Sequence, residues 1–270
     1  MKQIKILRIL TILLAISLAI VSVAGAFFPE TYSRDSPSLG AQGVGQDLVD
    51  LILGVPLLLL SFYYAGKGSR RASLIYAGVL FYILYSFIIY CFGINFNRFF
   101  LFYCLTLSLS LYSFILFFSN LREQEVESWF EGAPVKGVSL YLIVVALIFY
   151  FLWLKSIVPA ILHNQVPADV SDYDLLVNPV HVIDLVFVLP ALIIGAVLIR
   201  RKLGLGYIIA TIALIFMVLL TLALAAMVVL LALRGINEDY TVAFVFAALS
   251  VTSVIFTLLL LRRLKVKGTP

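Results

Sequence analysis

Apolar runs of about twenty residues recur along the chain, broken by short clusters of charge, Gly and Pro. Such a run, wound as a helix, crosses a hydrocarbon core of about 30 Å. The pattern predicts eight spans, at roughly 5–28, 47–65, 73–95, 98–119, 138–159, 180–199, 204–233 and 241–261. No period-two alternation of apolar and polar residues is visible, which argues against a β-barrel. The first run, ILRILTILLAISLAIVSVAGAFF, is longer than the apolar core of a signal peptide and AGAFFPE is a weak cleavage site, so it reads as a retained helix. The expected fold is an all-α polytopic membrane protein with eight transmembrane helices.

Composition agrees with that pattern. The 270 residues are 63% hydrophobic and only 12% charged, with a mean hydropathy of +1.14. A soluble domain of this length needs more polar surface.

Charge adds an orientation. Lys and Arg collect at the N-terminus (Lys2, Lys5, Arg8), in the loop after span 2 (Lys67, Arg70, Arg71), after span 6 (Arg200, Arg201, Lys202) and at the C-terminus (Arg262, Arg263, Lys265, Lys267). Eight spans with both termini cytoplasmic put all four clusters on one face, as basic loops prefer. The opposite loops, 29–46, 160–179 and 234–240, carry only Arg34 and Arg234. The net charge of +5 is therefore read as a topology signal and a contact with anionic lipid of the bilayer, and not as a nucleic-acid surface.

Two segments stand out, DLVDLILGVP (Asp47–Pro56) and HVIDLVFVLP (His181–Pro190). A shift of 134 residues aligns Asp47 with His181, Asp50 with Asp184 and Pro56 with Pro190. Each opens a span and runs to a basic loop. The chain thus divides into a first four-helix half (1–120), an acidic cytoplasmic connector (121–136) and a second four-helix half (137–270). Four spans per half is an even number, so the halves share one orientation, as a 4+4 parallel internal repeat with a pseudo-two-fold axis along the membrane normal. Each Pro removes a backbone donor and is expected to kink its helix. The connector reads as solvated chain with one short surface helix.

Ionisable groups inside spans are costly and face the bundle interior. Asp47 lies over Asp50 and His181 over Asp184, at the i, i+3 spacing that shares a helix face. Spans 2 and 6 are expected to meet at the pseudo-axis, gathering Asp47, Asp50, His181 and Asp184 near the outer face, where Lys155 could neutralise one carboxylate. The plainer reading makes Asp47 a helix N-cap and Lys155 a snorkelling side chain. Hydroxyl stripes (Tyr82, Ser86, Tyr90 in span 3; Tyr103, Thr106, Ser110, Ser113 in span 4; Ser250, Ser253, Thr257 in span 8) serve either close helix packing or a wet path.

Several chemistries lose ground. Cys91 and Cys104 form no CxxC, which disfavours a membrane thiol oxidoreductase. No charge sits at mid-span, which demotes a proton pump. Two His are too few for a His-rich zinc hydrolase. A metal on Asp47, Asp50, His181 and Asp184 would suit Ca, Mg or Mn, yet the spacing demands no cofactor. No GxSxG, P-loop or HExxH occurs. The residues before the paired Asp, Val49 and Ile183, do not fit an intramembrane aspartyl protease.

Residues 45–114 carry GQDL (Gly45, Gln46, Asp47), then Pro56, Gly68, Ser69 and Arg71 in a basic loop, Tyr85 and Tyr90, and finally Phe92, Gly93, Phe96 and Asn97. This pattern resembles an uncharacterised group of bacterial and archaeal multi-pass membrane proteins. The resemblance implies a membrane protein without implying an activity, and places Gln46, Asp47, Tyr90 and Asn97 near the outer face. Three functions stay open: a protein that binds or transports a small solute or ion at an outer-facing polar site, an enzyme acting on a lipid-type substrate at the outer leaflet, and a non-catalytic subunit or assembly partner.

Overall fold

A computed structural model describes residues 2–119, 121, 126–130, 132–237 and 239–264. Among them the regular structure is helical, and eight helices are long and apolar enough to cross a membrane. In chain order these are α1 (Lys2–Phe27), α2 (Pro37–Gly66), α3 (Arg70–Gly93), α4 (Phe100–Ser119), α5 (Val135–Leu162), α6 (Pro179–Arg200), α7 (Gly204–Leu233) and α8 (Thr241–Leu261). Their outer faces are apolar, with Leu101, Phe151, Phe187 and Phe244 all exposed, which suits contact with lipid chains and marks a multi-pass membrane protein.

Seven of the eight boundaries fall within a few residues of the sequence expectation, and α2 does not. It begins ten residues before Asp47, at Pro37, with Ser36 as its cap accepting a hydrogen bond from the Leu39 amide at 3.2 Å. Asp47 is therefore not an N-cap. The added turns, PSLGAQGVGQ, read as loop because Gly is a poor helix former. Tertiary packing overrides that preference: a side chain at Gly45 would meet the Met227 backbone of α7 at 2.7 Å. Small residues let two membrane helices approach this closely.

The two DxxxxxP segments share a local structure. A π turn spans Asp50–Gly54 ahead of Pro56, and another spans Asp184–Val188 ahead of Pro190. In each, the residue just before Pro donates its amide to the Asp carbonyl five residues back. Pro cannot donate, and the wider turn shifts the hydrogen-bond ladder at the place where a donor is lost. The helices continue through with right-handed backbone angles at the flanking residues, and a π turn marks each place where a kink is expected.

Within the first half α1 packs on α2 and α4, α2 on α3, and α3 on α4; within the second, α5 packs on α6 and α8, α6 on α7, and α7 on α8. The halves join chiefly where α7 packs against α2 and α3. The expected meeting of spans 2 and 6 is thus displaced: α3 and α7 occupy the centre, and α6 touches the first half where its opening turns reach α3. Phe216 of α7 wedges there against Phe81 and Tyr85 of α3, with ring centroids 5.1 and 5.0 Å apart.

The end of the bundle that carries the basic clusters is packed. Phe130 of the connector stacks on Tyr207 at 4.4 Å and pairs with Leu264 through a backbone bridge. Trp129 lies under the Arg70 guanidinium at 5.0 Å, and Arg71 Nε donates to the Leu261 carbonyl at 3.0 Å. Val126, Trp129 and Phe130 are buried and form an apolar plug, while Glu127, Ser128, Gly132 and Lys136 are exposed, so the described part of the connector packs one side on the bundle and keeps the other solvated.

Replacing Gly45 by Val forces α2 away from the α7 backbone. It should destabilise the protein by about 1–3 kcal/mol, read as a lower thermal midpoint in detergent. Gly66→Ala, which meets open space, should change that midpoint little. Equal midpoints for the two variants would contradict the α2–α7 contact.

Candidate functional site

On α2, Gln46, Asp47 and Asp50 face three hydroxyl groups on antiparallel α3. Tyr90 donates to Asp47 Oδ1 at 3.0 Å, and Tyr82 donates to Asp50 Oδ1 at 2.7 Å. Gln46 Nε2 reaches Tyr82 at 2.7 Å, Asp50 Oδ1 at 3.1 Å and Ser86 at 3.3 Å. A second phenol, Tyr32, donates to Asp47 Oδ2. Tyr32 sits outside the spans, in the short turn Pro29–Tyr32. Burial first, and then the neighbouring Asp47 carboxylate, push its hydroxyl well above the ordinary tyrosine range, so it stays a donor.

Two interlocked loops hold that turn. Asn97 donates to the Thr31 carbonyl at 3.1 Å and to Tyr103 at 3.0 Å. Arg34 donates to the Phe96 carbonyl at 2.8 Å, and Asp35 accepts from the Asn95 amide at 2.8 Å. Asn97 thus positions Tyr32. On α1, Gly25 leaves room for the Asp47 carboxylate: a Cβ there would stand 1.7 Å from Oδ2. Asp47 is fully buried, with both oxygens occupied by phenols.

Asp184 is placed differently. It opens onto a cavity of about 200 Å³ between the two halves, at the end away from the basic clusters. Gln46, Tyr85, Ser86 and Tyr90 line it from the first half, and Trp153, Tyr173 and Asn178 from the second. Trp153 Nε1 donates to Asp184 Oδ2 at 2.9 Å. The Tyr85 hydroxyl is a second hydrogen-bonding neighbour of the carboxylate, and the residue is 5% exposed. A second cavity of about 30 Å³ lies beside Asp184, Phe216 and Thr221.

The loop between α5 and α6 covers part of this cavity. His181 Nε2 lies 2.8 Å from Asp169 Oδ2, and Ser156 donates to Asp169 Oδ1 at 2.9 Å. The His181 ring packs on Trp153 with centroids 4.7 Å apart. Gln42 of α2 donates to the Tyr173 hydroxyl at 3.1 Å, tying the loop to the first half.

The four residues expected to converge therefore separate into three settings. Asp47 and Asp50 join the α2–α3 network, His181 anchors the α5–α6 loop, and Asp184 faces the cavity. Among the described residues no three His, Cys, Asp or Glu side chains come together as metal ligands, so the expected set does not form an ion cage. Lys155 is exposed and lies outside the cavity lining. The hydroxyl stripes of α4 and α8 serve packing, as in Ser17–Thr106 at 2.7 Å and Tyr141–Ser253 at 2.7 Å, whereas that of α3 serves the carboxylates. Gln42, Trp153, Asp169 and Tyr173 were not flagged by the sequence, and Tyr85 entered only through the resemblance: a lone Trp or Tyr in an apolar run looks like core or interfacial belt until its partner is known.

No family model, curated protein or solved structure matches the chain, so function is argued from this geometry alone.

Asp47→Ala strands two buried phenols and should cost about 1–3 kcal/mol of stability. Gly25→Ala should cost as much or more, by displacing the same carboxylate. Because both act on one contact, the double variant should lose less than the sum of the two, a coupling measurable by a double-mutant cycle of thermal or denaturant unfolding. Strict additivity would mean that Gly25 does not serve Asp47.

Proposed function

We propose that the chain is a cell-membrane protein that binds a small solute or ion beside Asp184 and carries it across the bilayer. The observation that supports this most directly is the cavity itself. It lies where the halves join, and it has one acidic lining residue, Asp184, with no basic residue facing it. Ligand sites of membrane carriers sit at such junctions between repeats, next to interrupted helices. The matched π turns and the matched helix neighbours in each half support a 4+4 parallel repeat about an axis between α3 and α7.

Orientation follows from the basic clusters. Both termini and the Phe130 plug then lie on the cytoplasmic side, and the cavity lies toward the outer side. An outward cavity above a packed inner end is one of the two states an alternating-access carrier needs. The α5–α6 loop is then an outer gate, latched by Gln42–Tyr173 and by His181–Asp169. The enzyme reading draws less support, because His181 is turned onto Asp169 rather than toward either Asp50 or Asp184.

Ser86 lines the cavity and reports on access. With Cys91 and Cys104 replaced by Ala, Ser86→Cys should react with a membrane-impermeant methanethiosulfonate applied from outside intact cells. Reaction also from the cytoplasmic side, in inverted vesicles, is expected of a carrier. Reaction from outside alone would reduce the protein to an outer-facing binder. No reaction from either side would remove the cavity as a site.

Latching supplies a second test. A disulfide between Gln42→Cys and Tyr173→Cys, in the same cysteine-free background, should hold the loop shut and slow outside labelling of Ser86→Cys about tenfold or more. Reduction should restore the rate. An unchanged rate would mean that the loop does not gate entry.

A further inference from the structure

We infer that the ligand is a protonated amine with an apolar body, an assignment that rests on the cavity being the binding site. The cavity lining contains one acidic side chain, Asp184, and no Lys or Arg. An ionised carboxylate in an apolar wall is costly unless a counter-charge or several donors meet it. Trp153 supplies one donor, to Oδ2. The Tyr85 hydroxyl is its other polar neighbour, so the carboxylate meets neutral groups and no counter-charge, and an ammonium group supplies that charge.

The surrounding rings favour the same charge. Tyr85, Tyr90, Phe149, Trp153 and Tyr173 line the cavity around Asp184, and the faces of aromatic rings attract cations, Trp most strongly. Leu39, Ile89, Leu220 and Met227 supply hydrocarbon for the rest of the ligand.

Other ligand classes fit less well. An anion would meet the carboxylate without a compensating base. A bare inorganic cation needs six or more oxygen ligands in place of its water, and the described residues provide no group of even three ionisable ligands. A neutral solute leaves the Asp184 charge uncompensated. Size sets the body: a cavity of ~150 Å³ accepts a benzene ring, so one of about 200 Å³ accepts an arylalkyl amine.

The chain has two Trp. Trp129 lies in the plug at the basic end, so Trp129→Phe leaves Trp153 as a single fluorescent reporter inside the cavity. Phenethylamine, 2-phenylethanol and phenylacetate are then titrated at neutral pH. They share one body and differ in charge.

Phenethylamine is expected to change the Trp153 emission and to bind about tenfold more tightly than the alcohol, with phenylacetate weakest. Asp184→Asn should abolish the preference for the amine over the alcohol. If that variant does not fold, the ranking of the three probes on the wild-type side chain still decides. Equal or tighter binding of the alcohol or phenylacetate overturns the amine and leaves the cavity as a site. Binding of none of the three also overturns it. The Ser86→Cys reaction then separates a wrong ligand class, where labelling persists, from a wrong site, where it does not.

Discussion

A carboxylate placed in hydrocarbon must find donors, and in this protein α3 provides them. Its phenols at Tyr82 and Tyr90 meet Asp50 and Asp47, while Tyr85, on the adjoining face, lines the cavity that Asp184 enters. Burying an unpartnered charge costs several kcal/mol, and one buried hydrogen bond recovers only part of that. The acidic side chains therefore dictate which face of α2 meets α3, and with it where α1, α4 and the Asn95–Asn97 loop can stand.

That network divides the polar residues by task. Asp47 is enclosed by two phenols and by the space Gly25 leaves, so it stabilises the junction of α1, α2 and α3 and has no lone pair turned to an opening. Asp184 has the Trp153 indole and the Tyr85 hydroxyl beside it and lines a cavity. The same residue type acts as a staple between helices at Asp47 and lines a cavity at Asp184. The difference lies in what surrounds them: Asp50 is closed in by Tyr82 and Gln46, whereas Asp184, beside Trp153 and Tyr85, is part of the cavity lining.

The π turns adjoin two of these carboxylates. Each begins at its Asp and ends just ahead of a Pro, so the helix is least tightly laddered beside the buried carboxylate. Such turns are frequent at functional sites. The Phe130–Tyr207 stack and the Arg71–Leu261 bond tie down the opposite end. A carrier that alternates would have to release them, which makes the connector part of the proposed transport cycle.

Much of the architecture was legible from the one-dimensional pattern. Spans of helical length are enforced by the bilayer, since every backbone polar group must be satisfied within its own segment. The eight helices, the Asp–Pro pairing and the polar character of α3 follow from that. The extension of α2 back to Pro37 was not legible, because its glycines carry a weak helix propensity that only the fit against Met227 reverses. Nor was the dispersal of Asp47, Asp50, His181 and Asp184. Helical spacing states which residues share a face, and says nothing of which helix that face meets. The sequence by itself determined the membrane class, the span count and the rarity of buried charge. Only the tertiary structure decided that α3 and α7 take the centre and that Asp184 owns the cavity, because contacts between distant segments set the partners of each buried polar group.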